Sequence, residues 1–293
     1  MRIFITGAAG LVGTELRRLC AQTGIETVNH DISGKQSAGF LLSDIRSPDL
    51  FDLIPEGVDA IVHLAGLPSD DHCKDNAQEC FDINVVGTLN VLNAARKKNV
   101  KQFIFASTEW VYDKFQDGVA KKEDDIIDIA SLSSEYALSK LVTEANLRQQ
   151  YMGGSCPITA LRFGIIYGPH SGPVSAVEAL LKAVSKDKDL TINSYLTGRC
   201  FIHVSDIASG IIASLGLPGF EIINLQGDRL ITLGDIINSS AELLGKTPVV
   251  TETDSNSPSI RLVSNAKAKQ FLDWTPEISF EDGLKSVRDY HNL

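Results

Sequence analysis

No stretch of this 293-residue chain approaches the ~20 consecutive apolar residues that a membrane span requires; the longest candidates, such as residues 61–67, are short and contain His63. No basic segment followed by an apolar one precedes the first apolar run at Ile3, Phe4 and Ile5, so no secretory signal is expected. Positive charge is in deficit. The 27 Lys and Arg residues face 37 Asp and Glu, a formal net charge of −10, which argues against a general nucleic-acid surface and against an anionic-membrane anchor. Cysteine is scarce as well. Cys20, Cys73, Cys80, Cys156 and Cys200 are scattered, odd in number and without metal-ligand spacing. The expectation is therefore reduced packing thiols in a cytoplasmic protein, with no metal site. Repeats and low-complexity segments are absent. What remains is the composition of a globular enzyme, 43% hydrophobic and 22% charged, at a length that suits one large domain or two small ones.

Short apolar runs alternate with helix-length amphipathic segments. The runs at 3–6, 27–29, 39–42, 60–64, 102–106 and 158–163 read as strands, and 11–23, 79–98 and 133–150 as helices. Strands apolar throughout, in a βαβα rhythm, imply a parallel sheet covered on both faces. Right-handed crossovers then give an α/β, Rossmann-like, doubly wound sheet. After residue 163 the rhythm loosens. Gly164, Gly168, Pro169, Gly172 and Pro173 mark a loop-rich stretch before a helix at 174–185. A run at 201–204, a helix from Asp206, a strand at 221–225 and a helix at 232–244 follow, the last with Thr232 and Asp235 as N-cap and box partner. Two short helices, 265–272 and 280–290, close the chain. The expected division is a dinucleotide-binding domain at 1–163, to which 201–230 returns, and a smaller C-terminal substrate-binding lobe from 164–200 and 231–293, with the cleft between them as the site.

The segment Thr6-Gly7-Ala8-Ala9-Gly10-Leu11-Val12-Gly13 lies directly between the first strand and the first helix. Gly7 permits the tight turn, Gly10 lets backbone approach a pyrophosphate, and Gly13 permits close helix packing. The diphosphate would sit at the helix N-terminus, over Leu11 and Val12, where unpaired N–H groups and the positive end of the dipole converge. A glycine pattern alone can mark a mere turn. Asp31, at the end of the second strand, adds the acid that hydrogen-bonds an adenosine ribose and repels a 2′-phosphate, favouring NAD over NADP; Lys35 nearby pulls the other way. Asp44 and Ile45 follow the third strand where an adenine edge would lie, although an isolated Asp44 reads equally as a solvated turn residue.

Tyr136-Ala137-Leu138-Ser139-Lys140 places a phenol and an ammonium one helical turn apart on one face. A tyrosine with a pKa near ~10 is a poor base at neutral pH. An adjacent ammonium and a nicotinamide cation would lower that pKa and make Tyr136 an acid/base for a hydroxyl that loses hydride. In isolation such a pair is usually an exposed one. The context here is Ser107-Thr108 at the C-terminal end of the fifth strand, the edge at which open parallel sheets gather ligands.

With these pieces in order, the chain resembles an extended short-chain dehydrogenase/reductase of the NAD-dependent epimerase/dehydratase group. The resemblance runs through the Gly7–Gly13 turn, Asp31, Asp44-Ile45, His63-Leu64-Ala65-Gly66, Asn84 with Gly87-Thr88, Ser107-Thr108, Tyr136 with Lys140, Arg162 to Pro169, and Arg199 to Val204. It implies NAD as cofactor. It makes Tyr136 the acid/base, Lys140 the residue that binds the nicotinamide ribose and tunes Tyr136, and Thr108 the group that orients the reacting hydroxyl. Leu64, Ala65 and Gly66 would line the middle of the cofactor, and Asn84 would approach its nicotinamide half. His63 is expected to be a packed strand-end residue. Pairing of two copies through the helices bearing Asn84 and Tyr136 is also implied, with Leu89, Val91, Leu92, Leu138, Leu141 and Val142 as apolar positions.

The resemblance leaves the reaction open among relatives that share hydride removal from a sugar. Dehydratases of the group carry Thr-Asp-Glu where this chain has Thr108-Glu109-Trp110, and Trp110 cannot abstract a proton. Glu109 reads as a displaced acid, as a group that hydrogen-bonds a sugar hydroxyl, or equally as a surface Glu beside a packing Trp. Arg199 matches the group's diphosphate-gripping arginine, a fork suited to bidentate contact. Against a nucleotide sugar stand Gly164-Ile165-Ile166 before Tyr167, where an Asn is common, the replacement of Gly-Asp-Gly before the arginine by 193–198, and the short second lobe. The leading reading is an NAD-dependent sugar-nucleotide epimerase acting at C4. The alternatives are a dehydrogenase or reductase on a simpler sugar such as a uronic acid, and a non-catalytic NAD sensor, against which the retained Tyr136 and Lys140 argue.

Overall fold

The computed structural model describes residues 1–34, 39–116, 118–171, 175–187 and 189–293. Lys35, Gly172, Pro173 and Val174, which entered the readings above, lie outside the described residues. The chain forms two compact units. Met1–Lys114, Glu123–Phe163 and Ala208–Ile223 make the first; Phe115–Lys122, Gly164–Ile207 and Asn224–Leu293 make the second. The segment that returns to the first unit is thus 208–223, shorter than the 201–230 expected, and 115–122 joins the second unit, tied there by a bridge between Lys121 and Val263.

In the first unit the strands are β1 (Arg2–Thr6), β2 (Glu26–Asp31), β3 (Phe40–Leu42), β4 (Ala60–His63), β5 (Gln102–Thr108) and β6 (Ile158–Phe163). With the strand Phe220–Leu225 they build one seven-stranded sheet, in the order Phe220–Leu225, β6, β5, β4, β1, β2, β3. Chain order reverses between β1 and β4, which flank one another although the crossover between them adds β2 and β3 on the other side. That is the switch point of a doubly wound sheet. Ile3, Phe4 and Ile5 are buried in succession, as a strand covered on both faces requires. The register sets Thr6 level with both His30 and His63, and Ser107 level with Arg162, so the strand ends that carry the motifs share one edge. β2 runs to Asp31, beyond the apolar core of its pattern, because Asn29, His30 and Asp31 pair with β3 through their backbones.

The helices that precede β6 in this unit are α1 (Leu11–Thr23), α2 (Leu50–Leu53), α3 (Asp70–Cys73), α4 (Ala77–Phe81), α5 (Thr88–Lys97) and α6 (Glu135–Met152), and the helix Val204–Ala213 enters it from Ala208. Beneath them Phe4, Ile61, Leu92, Phe103, Phe105 and Leu147 form the core, each such side chain contributing about 1.5–3 kcal/mol by leaving water. Gly24, at φ 72°, ends α1 in the left-handed conformation open to glycine. Ser134 caps α6 by accepting from the N–H of Ala137 at 3.1 Å.

Two expectations are corrected here. The single helix at 79–98 is interrupted by a π-helical turn, Asp82–Gly87, between α4 and α5. The Asn84 carbonyl accepts there from the hydroxyls of Thr88 at 2.6 Å and of Thr143, on α6, at 3.1 Å, and side chains inserted at a carbonyl disturb the α ladder. The cysteines are not all thiols. Cys73 on α3 and Cys80 on α4 form a disulfide across seven positions, a proximity that the short turn between the two helices creates and that spacing alone did not reveal. Cys20, Cys156 and Cys200 are free.

In the second unit, helices Ala176–Ser185, Leu233–Leu244 and Phe280–His291 pack around a core of Tyr167, Val177, Leu181, Phe201, Ile236 and Leu284; Ala266–Leu272 is a further helix of this unit. The expected Thr232/Asp235 capping box is present, and Ser175 with Glu178 forms a second. A small sheet places the strand Gly198–Arg199 between Ile231–Thr232 and Ile260–Arg261. No described helix is long and apolar enough to cross a membrane.

Candidate active site

The glycine turn is a cradle whose shape side chains would destroy. Gly7 has φ 73°, and a Cβ there would stand 2.7 Å from the Ala65 nitrogen. At Gly13 it would meet the Gly7 oxygen at 2.3 Å and Ala8 Cα at 2.7 Å. Both glycines are therefore demanded by the protein's own backbone. Gly10 is not: it has ordinary extended dihedrals, φ −70° and ψ 176°, and its Cβ would approach only the Gly7 oxygen, at 3.4 Å. α1 begins immediately after it, and no side chain caps that end, so the N–H groups of the first turn at Leu11, Val12 and Gly13 have no intrahelical acceptor. The Asp31 carboxylate accepts from the Ala9 N–H at 2.8 Å and the Ser33 N–H at 3.0 Å, which holds one acid against the turn. Asp44 is gripped by Arg46 through bonds of 2.5–3.1 Å, which keeps its pKa below the usual range. The neighbouring Ile45 carbonyl accepts from Asn90 at 2.7 Å. An open helix N-terminus above a glycine floor, with a carboxylate at the end of β2, fits a dinucleotide's phosphates and ribose.

Leu64, Ala65 and Gly66 continue from β4 toward Asn84 and Lys140. A Cβ on Gly66 would stand 2.8 Å from Asn84 Oδ1 and 3.5 Å from Lys140 Nζ. Asn84 sits on the π turn; its Oδ1 accepts from the Leu67 N–H at 2.8 Å and its Nδ2 donates to Ser139 Oγ at 3.0 Å. His63 joins the two segments. Its Nδ1 is 2.7 Å from Thr6 Oγ1 and its Nε2 is 2.9 Å from Thr88 Oγ1. The Thr88 hydroxyl already donates to the Asn84 carbonyl, so Nε2 donates and Nδ1 accepts. Burial, with lesser contributions from Lys140 and His30, pushes the imidazole pKa down to about 3. His63 is a neutral structural link, as its strand-end position suggested.

Tyr136, Lys140 and Thr108 come together at the C-terminal edge of the sheet. Both α6 side chains are buried. Lys140 Nζ lies 5.9 Å from the centre of the Tyr136 ring and donates to the Ala106 carbonyl at 2.9 Å. Burial opposes charge on both groups. It pushes the Tyr136 phenol up to about 12 although a hydrogen bond with Thr108 pulls it down, and it pushes the Lys140 ammonium down to about 8 against the attraction of Glu144. The expected lowering of the Tyr136 pKa by Lys140 is thus not a property of the protein by itself; the chain desolvates both groups, which makes the pair depend on one another for charge.

Glu109 and Trp110 reverse their bland reading: Glu109 is 1% exposed and Trp110 37% exposed, a buried acid followed by an accessible indole, on a short 3₁₀ turn after β5. Arg199 belongs to the second unit. Its Nη1 donates to the carbonyls of Gly198 at 2.7 Å and Ser259 at 2.5 Å, so backbone holds one edge of the fork. Patterning missed Arg261, which pairs with Arg199 in register on adjacent parallel strands and lies over the Phe115 ring at 5.5 Å. The register sets two arginines side by side on adjacent strands, a residue type suited to bidentate contact with a diphosphate. No local motif marks Arg261; only the strand pairing brings it there. Ser139, the partner of Asn84, was also overlooked, as was the buried pair of Glu144 and Arg162.

The model of the NAD-dependent epimerase/dehydratase family matches residues 3–225. The chain belongs to that family. It is accordingly an NAD-dependent enzyme of the epimerase/dehydratase type. Among curated proteins it is 28% identical to an uncharacterized UDP-glucose epimerase, YtcB, of Bacillus subtilis, with 99% of this chain and 98% of that protein aligned. It is 28% identical to a UDP-glucuronate 4-epimerase of Thermodesulfobacterium geofontis, over 96% and 93% of the two chains. Among solved structures, a UDP-glucuronic acid 4-epimerase of Bacillus cereus, in complex with UDP-glucuronic acid and NAD, superposes with a TM-score of 0.84 at 28% identity, covering 100% and 99%.

Proposed function

We propose that the chain is a UDP-sugar 4-epimerase that keeps NAD bound and uses Tyr136 as its acid/base. The observation that carries the reading is the buried Tyr136 phenol, beside Thr108 and one helical turn from the Lys140 ammonium, at the sheet edge that also bears the glycine cradle. The two 28% identical relatives named for UDP-glucose and UDP-glucuronate support the substrate class.

Gly7, Gly10 and Gly13, with the N–H groups of Leu11 and Val12, hold the diphosphate of NAD. Asp31 takes the adenosine ribose, Asp44 and Ile45 the adenine, and Leu64, Ala65, Gly66 and Asn84 the stretch leading to the nicotinamide. Bound NAD supplies a reversible hydride acceptor. Tyr136 accepts the proton of the sugar hydroxyl at the centre that inverts, and returns it when that centre is re-formed. Thr108 holds the same oxygen in line with the phenol. Lys140 stabilises the phenolate at close range in a medium of low dielectric, where one charge offsets the other's desolvation. Glu109 accepts a hydrogen bond from a sugar hydroxyl.

Two copies pair in this reading through the helices bearing Asn84 and Tyr136. Val91 and Leu92 are spent in the core, which leaves the half-buried Leu89, Leu138, Leu141 and Val142, with the 55% exposed Val86, as the apolar contact. Sedimentation as a dimer at micromolar concentration is the expected result.

Incubation with UDP-glucose and with UDP-glucuronate tests the activity. Conversion to the C4 epimer without accumulation of NADH is expected, and Tyr136→Phe should abolish it while sparing NAD binding. Stoichiometric NADH would instead establish a dehydrogenase. Turnover surviving Tyr136→Phe would remove the tyrosine from its role.

A further inference from the structure

α6 presents three ionisable side chains at successive turns of one face: Tyr136, Lys140 and Glu144. The proposed reaction uses the first two. Glu144 is as deeply enclosed as they are, 3% exposed, and its carboxylate is fully engaged. Arg162 on β6 forks onto it, Nε to Oε1 at 3.0 Å and Nη2 to Oε2 at 2.7 Å. The Ser107 hydroxyl donates to Oε1 at 2.5 Å. Arg162 in turn donates from Nη1 to the Tyr112 hydroxyl at 2.7 Å and stacks 4.8 Å above that ring.

Stability does not explain such a pair, since apolar residues of the same volume serve a core equally well. What it holds does. Ser107 lies between Ala106, whose carbonyl receives the Lys140 ammonium, and Thr108, whose hydroxyl meets the Tyr136 phenol. One clamped carboxylate therefore fixes the middle of three consecutive residues whose neighbours engage both reacting side chains. Charge points the same way. Other ionisable groups on elements packed against α6 are Asp70, Asp71 and His72 on α3, Glu79 on α4, Asp82 on the π turn, Glu109 after β5 and Arg162 itself, while His63 on β4 is neutral. Among all of these, Glu144 is the one whose attraction acts on Lys140.

We propose that Glu144 is a positioning residue. Clamped by Arg162, it pins Ser107 and the end of β5 against α6, and it sets a buried negative charge one helical turn from the Lys140 ammonium. The proposal rests on the roles given above to Tyr136 and Lys140, but its test does not need a substrate.

The test follows the titration of Lys140 by NMR in the full chain labelled with ¹³C-lysine, the resonance being assigned by its loss in Lys140→Met. In Glu144→Gln the titration midpoint should fall by about one unit or more, while Glu144→Asp, which keeps the charge, should stay near the parent protein. If Glu144→Gln does not fold, because Arg162 is left buried without a counter-charge, Glu144→Gln/Arg162→Met carries neither charge and should show a smaller fall. An unmoved midpoint in whichever variant folds, or an equal fall in Glu144→Asp, overturns the proposal. In an active enzyme the alkaline limb of kcat should move to lower pH in Glu144→Gln, with KM changing less than kcat. A shifted Lys140 midpoint in a protein without epimerase activity would sink the functional reading and leave this one standing.

Discussion

The three glycines of the opening turn allow a perturbation whose two effects separate cleanly. Gly10→Ala places a methyl group where the protein offers no obstacle closer than 3.4 Å and where φ and ψ already suit alanine. The free protein should therefore lose less than about 1 kcal/mol, the scale of a change at a helix N-cap. If a diphosphate rests on that backbone, the same methyl lies between them. Overpacking of this kind costs about 1–3 kcal/mol, which weakens NAD binding by about 5- to 150-fold. Gly13→Ala is the contrast. Its methyl would meet the backbone of Gly7 and Ala8 at 2.3–2.9 Å, and backbone cannot swing aside as a side chain can. The free protein should melt lower and bind NAD poorly. Calorimetric titration with NAD and thermal melts of the free variants read both quantities. If Gly10→Ala bound NAD within twofold of the parent protein, the cofactor would not lie on this turn and the argument built from it would fail.

Other consequences follow from burial. His63 protonates near 3 in the folded chain and near ~6.5 when unfolded. Between those values the unfolded state binds more protons, so stability falls as pH drops below ~6.5, by about 2 kcal/mol at pH 5 from this residue; denaturant titrations of the parent and His63→Asn at pH 7 and pH 5 should differ by that amount, and equal differences would refute it. Because Lys140 loses its proton near 8, kcat should decline as pH rises through about 8, and a plateau to pH 10 would show that the ammonium is not required. The Cys73–Cys80 disulfide closes a short loop across seven positions, for which loop entropy gives about 2.5 kcal/mol. A reductant should lower the melting temperature of the parent protein and leave Cys73→Ser/Cys80→Ser unaffected; equal responses would show that the bond is not formed.

Much of the first unit was legible without coordinates because its determinants are local. An apolar run buried on both faces announces a parallel strand. Glycines at 7, 10 and 13 between such a run and a helix announce a cradle, and Tyr136 with Lys140 needs only the pitch of one helix to share a face. Capping chemistry behaved likewise: Thr232 and Asp235 interact three residues apart, and the box formed as read.

What escaped depended on residues distant in the chain. The π turn comes from Thr143, on α6, reaching the Asn84 carbonyl. Arg261 stands beside Arg199 only because two strands pair across about sixty residues. The meaning of Glu109 turned on its burial, which no neighbour in sequence controls. Periodicity and spacing by themselves determined the sheet, the phosphate turn and the paired phenol and ammonium, since those interactions act over one turn of helix or one step of strand. Tertiary structure alone decided which charges lost their water and which carboxylate clamps β5 against α6. Desolvation and long-range pairing are set by what packs from elsewhere in the chain.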